Sequence, residues 1–478
     1  MKKTKIICSM GPNSYHKDMM RKMIANGMNV ARINFSHATM EERAKTEELV
    51  RYFNDENNME DGGHNIAILF DTKGPDLRTC VFEGDVIELV DGASIRIVKD
   101  DILGTKDKIT LNYKEVIDNI NVGNDILLDD GLIRLTVTDK DSEGLTCKII
   151  NGGVIKSRRG VNVPGVSLNM PFVSEEDEAD IKYACEHNGD YLGISFVSSG
   201  NDVREARALL EKHGRPDMPI ITKVETAKAI ENLDEIIDES DAIMVARGDL
   251  GVEVPMQMVP IYQKLMIQKC REKGKICIVA TEMLASMYTS ARPTRAEVSD
   301  IANAVLDGCD AVMLSGETTI GKYPDMAVKY MADICENAES YYDYSYQFDS
   351  VRDNDITESI ARSVVESAKT LDVKAVIATT MSGYTAQRIS NLKPLCPIIA
   401  ATKDKKVARV LALNYGVYPT IIGEFSAFED LVSSAIQKSK NLIELNTDDT
   451  VIITGGFPKN GEKQTNFMRI DKIRKRLI

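Results

Sequence analysis

The stretch "PIITKVETAKAIENLDEIIDESDAIMVARGDLG", residues 219–251, decides the fold. It contains two short apolar runs, "PIITKVE" and "AIMVARGDLG", separated by a stretch with helical periodicity. Short apolar runs bounded by polar residues are typical of buried strands, and strand–helix–strand units build parallel sheets. The first run ends in Lys223 and Glu225, which share one face with Ile221 because alternate side chains of a strand point the same way. A charged pair on a buried face requires a chemical explanation.

The same pattern recurs along the chain. The runs are "KIICSMG", "NVARINFS", "NIAILFDTKG", "YLGISFV", "PIITKVE", "AIMVARGDLG", "ICIVATEML" and "AVMLSGETT". Most are separated by helix-like stretches such as "DVREARALLEKH" and "RAEVSDIANAVLDG", several of which are followed by glycine, the expected stop. Eight βα units predict a TIM (β/α)8 barrel, an α/β fold whose chemistry gathers where its strands end.

The chain departs from this pattern in two places. Residues 73–167 alternate polar and apolar side chains, as in "VIELVDGASIRIV", which predicts an inserted small β-barrel domain that stands over the barrel mouth as a lid. A new helix–strand alternation begins after about residue 340 and predicts a C-terminal α/β regulatory domain. We therefore expect a barrel of residues 1–72 and 168–342, a lid of residues 73–167 and a third domain of residues 343–478.

Two loops of the third domain have a composition suited to phosphate. "TTMSGYTA", residues 379–386, lies between a strand and a helix, where backbone N–H groups and hydroxyls cradle phosphates, and "TGGFPKNGEKQTN" supplies glycine and lysine near the C-terminus. Neither is a Walker motif, and a loop of this kind is more often only a turn.

Composition narrows the class of protein. The chain has 478 residues, is 43% hydrophobic and carries a formal charge of −14, which is typical of a globular protein and disfavours a nucleic-acid surface. No run is long enough for a membrane span, and the N-terminus lacks a signal-peptide h-region, so we expect no membrane partner and a cytoplasmic location. The nine cysteines contain no CxxC pair, which disfavours zinc and a disulfide framework.

Polar residues stand at the strand ends where apolar ones would suffice for packing. They are Arg32, Asn34, Ser36, Asp71, Thr72, Lys223, Glu225, Arg247, Asp249 and Thr281. Glu225 and Asp249 end neighbouring strands, and one or two carboxylates are what Mg²⁺ takes from a protein. Spacing alone leaves a Mg²⁺ site and a pair of solvated rim carboxylates about equally favoured. Lys223 needs anionic neighbours in either case, because burial removes its hydration.

The other strand ends also leave alternatives open. The amides of "VARGDLGVE" are suited to a carboxylate, or form an ordinary glycine turn. The oxygen set of Asn34, Ser36, Asp71 and Thr72 suits a monovalent cation, or forms a hydrogen-bonded loop. Arg32 and Arg78 can bracket a phosphate, or form surface salt bridges. His37 is the histidine near this group, and no Ser/His/Asp or HExxH arrangement is visible.

At this point the chain resembles pyruvate kinase along essentially its whole length. The matching motifs are "TKIICSMGP", "GMNVARINFSH", "DTKGPDLRT", "DDGLI", "GVNVPG", "DAIMVARGDLGVE", "PTRAEVSDIANAVLDG" and "AVMLSGETTIGKYP". The resemblance implies phosphoryl transfer from phosphoenolpyruvate to ADP, giving pyruvate and ATP. It also implies a homotetramer, Mg²⁺ or Mn²⁺, K⁺, and a phosphorylated allosteric effector.

Site residues follow from the same resemblance. Lys223 matches the catalytic lysine, Arg32 a phosphate contact, and Thr281 the threonine near the protonated face of the enolate. The remaining assignments are Glu225 and Asp249 for Mg²⁺; Asn34, Ser36, Asp71 and Thr72 for K⁺; Ala246, Arg247, Gly248 and Asp249 for the substrate; Asn34, His37 and Arg78 for the nucleotide; and Thr380, Ser382, Gly383, Thr385, Gly461 and Lys463 for the effector. Positioning and positive charge are what phosphoryl transfer needs.

The sequence departs from the family pattern at several positions. Glu282 stands where glutamine is common, Val224 and Thr226 where isoleucine and asparagine are common, and "SFVSSGNDV" lacks an arginine. Asp76 replaces a glutamate associated with K⁺ dependence, which keeps the charge on a shorter side chain.

Two rival functions belong to other classes. One is a lyase in which Lys223 forms a Schiff base, which requires a neutral amine that neighbouring carboxylates oppose. The other is a non-catalytic sensor of phosphorylated metabolites that uses the C-terminal loops. The presence of the lysine, arginine and carboxylate set weighs against both.

Overall fold

A computed structural model describes residues 1–58, 62–166, 170–344, 356–424, 428–440, 442–456 and 464–473. The chain begins with strands that alternate with helices. These are β1 (Lys5–Ser9), α1 (Lys17–Ala25), β2 (Val30–Asn34), α2 (Met40–Asn54) and β3 (Ala67–Asp71). Within the described residues, no helix is both long and apolar enough to cross a lipid bilayer.

The insert after β3 is built from strands, as predicted. They are β4 (Val86–Leu89), β5 (Ser94–Val98), β6 (Lys108–Ile109), β7 (Asp125–Leu128), β8 (Ile133–Lys140), β9 (Gly144–Asn151), β10 (Gly153–Lys156) and β11 (Val161–Asn162). Six of them form a sheet in the order β11-β7-β8-β9-β5-β6, and β4 pairs with β10. Ile133, Leu135 and Val137 alternate into an apolar core built from residues of the insert, and Met170 packs against it.

The chain then returns to the first sheet. Its strands are β12 (Tyr191–Ile194), β13 (Ile220–Val224), β14 (Ala242–Ala246), β15 (Ile276–Ala280) and β16 (Ala311–Leu314). The helices of this half are α3 (Glu175–Glu186), α4 (Gly200–Lys212), α5 (Ala227–Glu231), α6 (Leu233–Glu239), α7 (Arg247–Glu253), α8 (Val259–Lys273), α9 (Arg295–Asp307), α10 (Gly316–Thr319) and α11 (Pro324–Glu339). Gly274 and Gly308 end α8 and α9 with φ of 64° and 97°, a left-handed conformation that glycine adopts without strain.

Eight parallel strands close into a barrel in the order β1-β16-β15-β14-β13-β12-β3-β2, so the predicted TIM barrel is confirmed. Alternation decides which residues fill it. Ile221 packs in the inner core with Ile7 and Met244. Ile220 and Val224, one position removed, pack outward in the cluster that also holds the helices. Lys223 is therefore on the inward face that the sequence predicted.

The C-terminal part is the predicted α/β domain. Its helices are α12 (Ile356–Thr370), α13 (Tyr384–Asn391), α14 (Lys405–Leu411) and α15 (Phe428–Ser439). Its strands are β17 (Ala375–Thr379), β18 (Ile398–Thr402), β19 (Val417–Ile421), β20 (Thr450–Gly455) and β21 (Phe467–Lys472). The sheet order is β19-β18-β17-β20-β21, in which β21 alone is antiparallel to its neighbour.

This domain covers the N-terminal ends of the barrel strands. Lys393 Nζ lies 2.7 Å from Asp310 Oδ1 at the start of β16, and Arg409 Nε lies 3.0 Å from Asp190 Oδ1 before β12. Leu413 joins the inner core of the barrel. Because that end is filled, the opposite end, where the strands finish, is the one left to form a cleft.

Candidate active site

A cleft of about 780 Å³ opens at the C-terminal ends of the barrel strands, and residues of the insert line its other side. Ten of the predicted residues line it, namely Arg32, Asn34, Ser36, His37, Arg78, Lys223, Glu225, Ala246, Asp249 and Thr281. They come from separate parts of the chain that only closure of the barrel brings together.

Lys223 is the central cation of the cleft floor. Its Nζ lies 2.8 Å from Glu225 Oε1, donates to Ser195 Oγ at 2.8 Å and lies 3.8 Å from Asp71 Oδ1. Burial alone would lower the pKa of Lys223, but the Asp71 and Glu225 carboxylates outweigh burial and raise it. The lysine is therefore held as a cation, which is the opposite of what a Schiff base requires.

Glu225 and Asp249 are both poorly stabilised as anions. Burial raises the pKa of Glu225 to about 7, and the charge of Asp249 adds to the effect, while Lys223 and the Phe196 N–H oppose it. That N–H donates to Glu225 Oε2 at 2.6 Å. Burial is also the main cause that raises the pKa of Asp249, with Asp130 adding to it. A bound cation would relieve both carboxylates.

The residues present fit a hard divalent cation. The buried Glu225 Oε1 has Lys223 Nζ at 2.8 Å and accepts no other hydrogen bond from the described residues, so it has acceptor capacity left for a cation. The described part of the chain contains no group of three or more His, Cys, Asp or Glu side chains that could form a closed metal cage. Mg²⁺ needs none, because it takes one or two carboxylates and fills its other positions with water and substrate oxygens.

Arg32 is fixed beside Lys223 by a buried carboxylate. Its Nε donates to Asp71 Oδ2 at 2.6 Å and its Nη1 to Ser9 Oγ at 2.8 Å, with only 7% of the residue exposed. Burial opposes the charge on Asp71, but Lys223 and Arg32 overcome it and lower the pKa of this carboxyl. Arg32 therefore faces the cleft as a guanidinium whose orientation is already set.

The predicted oxygen set lies on two levels. Asn34 and Ser36 line the cleft, and the Ser36 N–H donates to Asn34 Oδ1 at 3.1 Å. Asp71 and Thr72 are buried beneath them. Asp71 Oδ1 accepts no hydrogen bond from the described residues, whereas the Thr72 carbonyl accepts one from Ser195 Oγ at 2.7 Å. Asn34 and Thr72 thus take part in hydrogen bonds of the loop, whereas Asp71 Oδ1 accepts none from the described residues.

Arg78 lies where barrel and insert meet. Its Nε donates to Asp76 Oδ2 at 2.5 Å, and its Nη1 donates to the Arg158 carbonyl at 2.9 Å. Burial raises the pKa of Asp76 although Arg78 opposes the shift. His37 is on the exposed rim of the same side of the cleft. Asp76, which replaces the family glutamate, therefore orients the arginine predicted to contact the nucleotide.

The segment for which the sequence left open a carboxylate-binding set of amides or an ordinary glycine turn is the first turn of α7. Ala246 ends β14, and Asp249 points into the cleft. The Gly248 N–H donates to Thr281 Oγ1 at 2.8 Å. The Arg247 guanidinium is directed elsewhere, with Nη1 at 2.7 Å from Asp300 Oδ1 on α9, and it does not line the cleft.

Two contact residues were not predicted. Ser195, which binds Lys223, follows directly after β12, so the polar residue at that strand end was a usable signal. Phe196, which binds Glu225, has φ of 56°, and an apolar residue that acts through its backbone N–H leaves no signal in composition.

Departures from the family pattern have local explanations at two positions. The Thr226 side chain caps α5 by accepting from the Ala229 N–H at 3.1 Å. Ser198 and Ser199 both donate backbone N–H groups to Asp202 Oδ2, at 2.7 and 3.0 Å, where α4 begins. Glu282 is exposed next to Thr281, and nothing in the structure explains it.

The C-terminal loop has the predicted geometry. Thr380, Ser382 and Gly383 follow β17 and precede α13, and Gly383 has φ of 86°. The Gly383 N–H donates to Thr380 Oγ1 at 2.9 Å, and Thr385 Oγ1 lies 2.8 Å from Thr465 Oγ1. Gly461 and Lys463 lie outside the described residues.

Comparison with known proteins adds to this geometry. The family model described as "Pyruvate kinase, barrel domain" matches residues 1–328, and "Pyruvate kinase, alpha/beta domain" matches residues 358–471. The pyruvate kinase of Geobacillus stearothermophilus is 43% identical over 99% of this chain and 80% of its own length. The pyruvate kinase of Bacillus licheniformis is 43% identical over 98% of this chain and 80% of its own length. The pyruvate kinase of Clostridium perfringens is 40% identical over 99% of this chain and 100% of its own length.

Proposed function

The chain belongs to the pyruvate kinase family, and on that premise we propose how the residues of the cleft divide the reaction among them. The enzyme is a phosphotransferase that passes the phosphoryl group of phosphoenolpyruvate to ADP and yields pyruvate and ATP. The observation that carries the proposal is the buried Lys223 cation, held 2.8 Å from Glu225 and close to Arg32 and Asp71. A floor of fixed cations is what a transferring phosphoryl group needs.

Lys223 and Arg32 bind the phosphoryl group and the enolate oxygen. Asp71 keeps Arg32 oriented, and the raised pKa of Lys223 keeps that amine protonated, so both charges are in place before substrate arrives. The turn that begins α7, formed by Ala246, Arg247, Gly248 and Asp249, is assigned to the substrate carboxylate, and in this structure its Gly248 N–H donates to Thr281 Oγ1. Thr281 stands beside the carbon that receives a proton when the enolate becomes pyruvate.

Pyruvate kinases are metal-dependent enzymes, and we assign the divalent ion to Glu225 and Asp249. When bound, Mg²⁺ or Mn²⁺ would neutralise charge on substrate oxygens. Glu225 Oε1 has no partner among the described residues besides Lys223, and this remaining acceptor capacity and the raised pKa of both carboxyls support the assignment. A monovalent ion, K⁺, is assigned to Asn34, Ser36, Asp71 and Thr72, because the set offers oxygen ligands only and Asp71 Oδ1 is open.

The nucleotide is assigned to the side of the cleft between barrel and insert. Asn34, His37 and Arg78 line it, and Arg78, itself a residue of the insert, is held there by its hydrogen bond to the Arg158 carbonyl. The insert, residues 73–167, acts as a lid that excludes water from the phosphoryl group. The barrel comprises residues 1–72 and 168–342.

The third domain, residues 343–478, is proposed to bind a phosphorylated effector. Thr380, Ser382, Gly383 and Thr385 offer hydroxyls and backbone N–H groups at the start of α13. Gly461 and Lys463 would complete the site. The proposed effector is a sugar phosphate or a nucleoside monophosphate.

The enzyme is proposed to work as a cytoplasmic homotetramer. Apolar side chains exposed on α8, α9 and the turn before α8, namely Met256, Ile261 and Val298, support a subunit contact there. Analytical ultracentrifugation at several protein concentrations would test the assembly.

A coupled assay tests the site assignments. Turnover of phosphoenolpyruvate and ADP is expected to require a divalent cation and to rise with K⁺. Full turnover after removal of all divalent ions by chelation would refute the role given to Glu225 and Asp249. Activation should be screened with a sugar bisphosphate, a sugar monophosphate and AMP, and no response to any of them would refute the effector site.

A further inference from the structure

The Arg247 guanidinium is fully engaged away from the cleft. Nη1 lies 2.7 Å from Asp300 Oδ1 and 3.4 Å from Gln263 Oε1. Nη2 lies 2.8 Å from the Thr281 carbonyl and 2.8 Å from Met283 Sδ, and Nε lies 3.3 Å from the Ala280 carbonyl. These contacts use all of the N–H groups that a guanidinium has, so none remains for a substrate.

Two of these contacts hold the backbone just before and at Thr281. Thr281 has φ of 70° and Glu282 has φ of 54°. A β-branched residue in the left-handed region is strained by about 1 to 3 kcal/mol, and such a conformation persists only where its surroundings enforce it. Arg247 supplies that enforcement from the neighbouring strand end.

Further contacts orient the Thr281 side chain and the far end of its loop. The Thr281 hydroxyl donates to the Ala280 carbonyl at 2.6 Å and accepts from the Gly248 N–H at 2.8 Å. The Leu284 N–H donates to the buried Glu317 Oε1 at 3.0 Å. The loop is therefore held at both ends, and Arg247 is the side chain that ties its first residue to α7 and α9.

We propose that Arg247 is a positioning residue for proton transfer, which acts by holding Thr281 in its strained conformation through the ion pair with Asp300. This assignment rests on the role proposed above for Thr281, and it concerns the Arg247 side chain only, because the substrate carboxylate is assigned to the backbone of the same turn. Arg247 touches no reacting atom. Loss of the Arg247 side chain should impair proton transfer to the enolate carbon more than the transfer of the phosphoryl group.

The test follows the proton step by itself. In deuterium oxide with Mg²⁺ and K⁺, a C3–H bond of pyruvate breaks, the proton passes to solvent by way of Thr281, and a deuteron from solvent bonds to the same carbon. Proton NMR measures this exchange without any phosphoryl transfer. A separate assay gives kcat and the KM for phosphoenolpyruvate.

Arg247→Met is expected to slow the exchange by about 10- to 100-fold, the size of effect caused by displacing a reacting group by about 1 Å. The KM for phosphoenolpyruvate should change much less, and Arg247→Lys, which keeps the charge and can still reach one acceptor, should recover part of the exchange. Asp300→Asn should resemble a mild form of Arg247→Met.

Arg409→Met is the matched control, because it also leaves a carboxylate unpaired but at the opposite end of the barrel. It should leave the exchange unchanged even where it lowers the melting temperature. Unchanged exchange in Arg247→Met, or a loss no greater than its loss of kcat in phosphoryl transfer, would overturn the inference. Thr281→Val distinguishes the role of Arg247 from the role of Thr281. If Thr281→Val loses the exchange and Arg247→Met keeps it, only the role of Arg247 is wrong. If Thr281→Val keeps the exchange, the roles of Thr281 and Arg247 are both wrong.

Discussion

Lys223 Nζ and Glu225 Oε1 lie 2.8 Å apart at the floor of the cleft, with 12% and 1% of their side chains exposed. Desolvation of such a pair can cost more than the attraction returns, so the pair is a poor explanation of stability. Each member has a further partner in the proposed reaction: the lysine faces the phosphoryl group, and the glutamate faces a cation on the same substrate. That shared substrate explains why opposite charges stand at one strand end.

Lys223→Met should abolish most of the activity while the barrel still folds. Loss of one preorganised donor to a developing charge typically costs about 10²- to 10³-fold in kcat. The coupled assay measures kcat, and circular dichroism checks the fold. Lys228→Met is the control, because Lys228 also lines the cleft but is 54% exposed and pairs with Glu231 on the rim. Wild-type turnover in Lys223→Met would reject the assignment.

Glu225→Ala should weaken divalent-cation binding before it affects stability. Loss of residues that merely support a ligand costs about 10- to 100-fold in metal affinity, so loss of the ligand itself should cost at least about tenfold. Electron paramagnetic resonance of Mn²⁺ gives the affinity without any turnover. Glu231→Ala on the rim should bind Mn²⁺ as the wild type does, and equal affinity in Glu225→Ala would exclude Glu225 as a ligand.

Asp71→Asn should raise the K⁺ concentration needed for half-maximal activation. The substitution removes a charge from an oxygen that accepts no hydrogen bond among the described residues. Activity titrated with KCl, at constant ionic strength maintained with choline chloride, gives this concentration. Asp180→Asn breaks a comparable pair with Arg43 on the outside of the barrel and should leave K⁺ activation unaltered. An unaltered K⁺ response in Asp71→Asn would rule out the assigned ligand.

Asn162→Ala should loosen the lid. Asn162 Nδ2 of β11 donates to Glu253 Oε1 at the end of α7 with a distance of 2.9 Å, which ties the insert to the barrel across the cleft. A hydrogen bond of this kind is worth about 1 kcal/mol, so the KM for ADP should rise by about fivefold. Asn121→Ala, at an exposed turn of the insert, is the control. A KM for ADP equal to that of the control would show that this contact does not hold the lid.

Arg409→Met should destabilise the protein more at neutral than at acidic pH. Burial raises the pKa of the Asp190 carboxyl, so the folded protein keeps the carboxyl proton to a higher pH than the unfolded chain does. The free energy of unfolding therefore falls as the pH rises from the unfolded pKa to the folded pKa of Asp190. Arg409 limits the shift, and its removal extends the interval upward. We expect a loss of about 2 to 3 kcal/mol at neutral pH, which is below the range of about 3 to 5 kcal/mol for fully buried pairs because Arg409 is 24% exposed.

Urea unfolding of Arg409→Met at about pH 5 and about pH 7.5 measures this difference. Arg21→Met, which breaks the exposed pair with Asp18, should show a small loss that is the same at both values. An equal loss for Arg409→Met at both pH values would contradict the proposed cause.

Most of the fold was predictable because its signal is local. Each barrel strand is a short apolar run that ends in polar residues, and alternation alone placed Ile221 and Lys223 on the inward face. The insert was recognisable because the buried Ile133, Leu135 and Val137 alternate with polar residues that are less buried. The periodicity of side chains along a strand needs no knowledge of what the strand packs against.

The sequence predicted which polar residues stand at the strand ends, but not how they are arranged in the site. The sequence indicated Glu225 and Asp249 but left a metal site and a pair of rim carboxylates equally open. Their raised pKa values come from burial, which depends on every element around the cleft. The Phe196 N–H was invisible for another reason, since a backbone contact carries no side-chain identity.

The sequence by itself determined the order of the elements, the inward face of each strand and the set of polar residues at the mouth of the barrel. Only the tertiary structure decided which of these residues meet. Arg247 and Gly248 are adjacent in the chain, yet the side chain of the first turns to Asp300 while the amide of the second binds the Thr281 hydroxyl. The physical reason is that a side chain takes the direction of the partners that satisfy it, and here those partners come from distant parts of the chain.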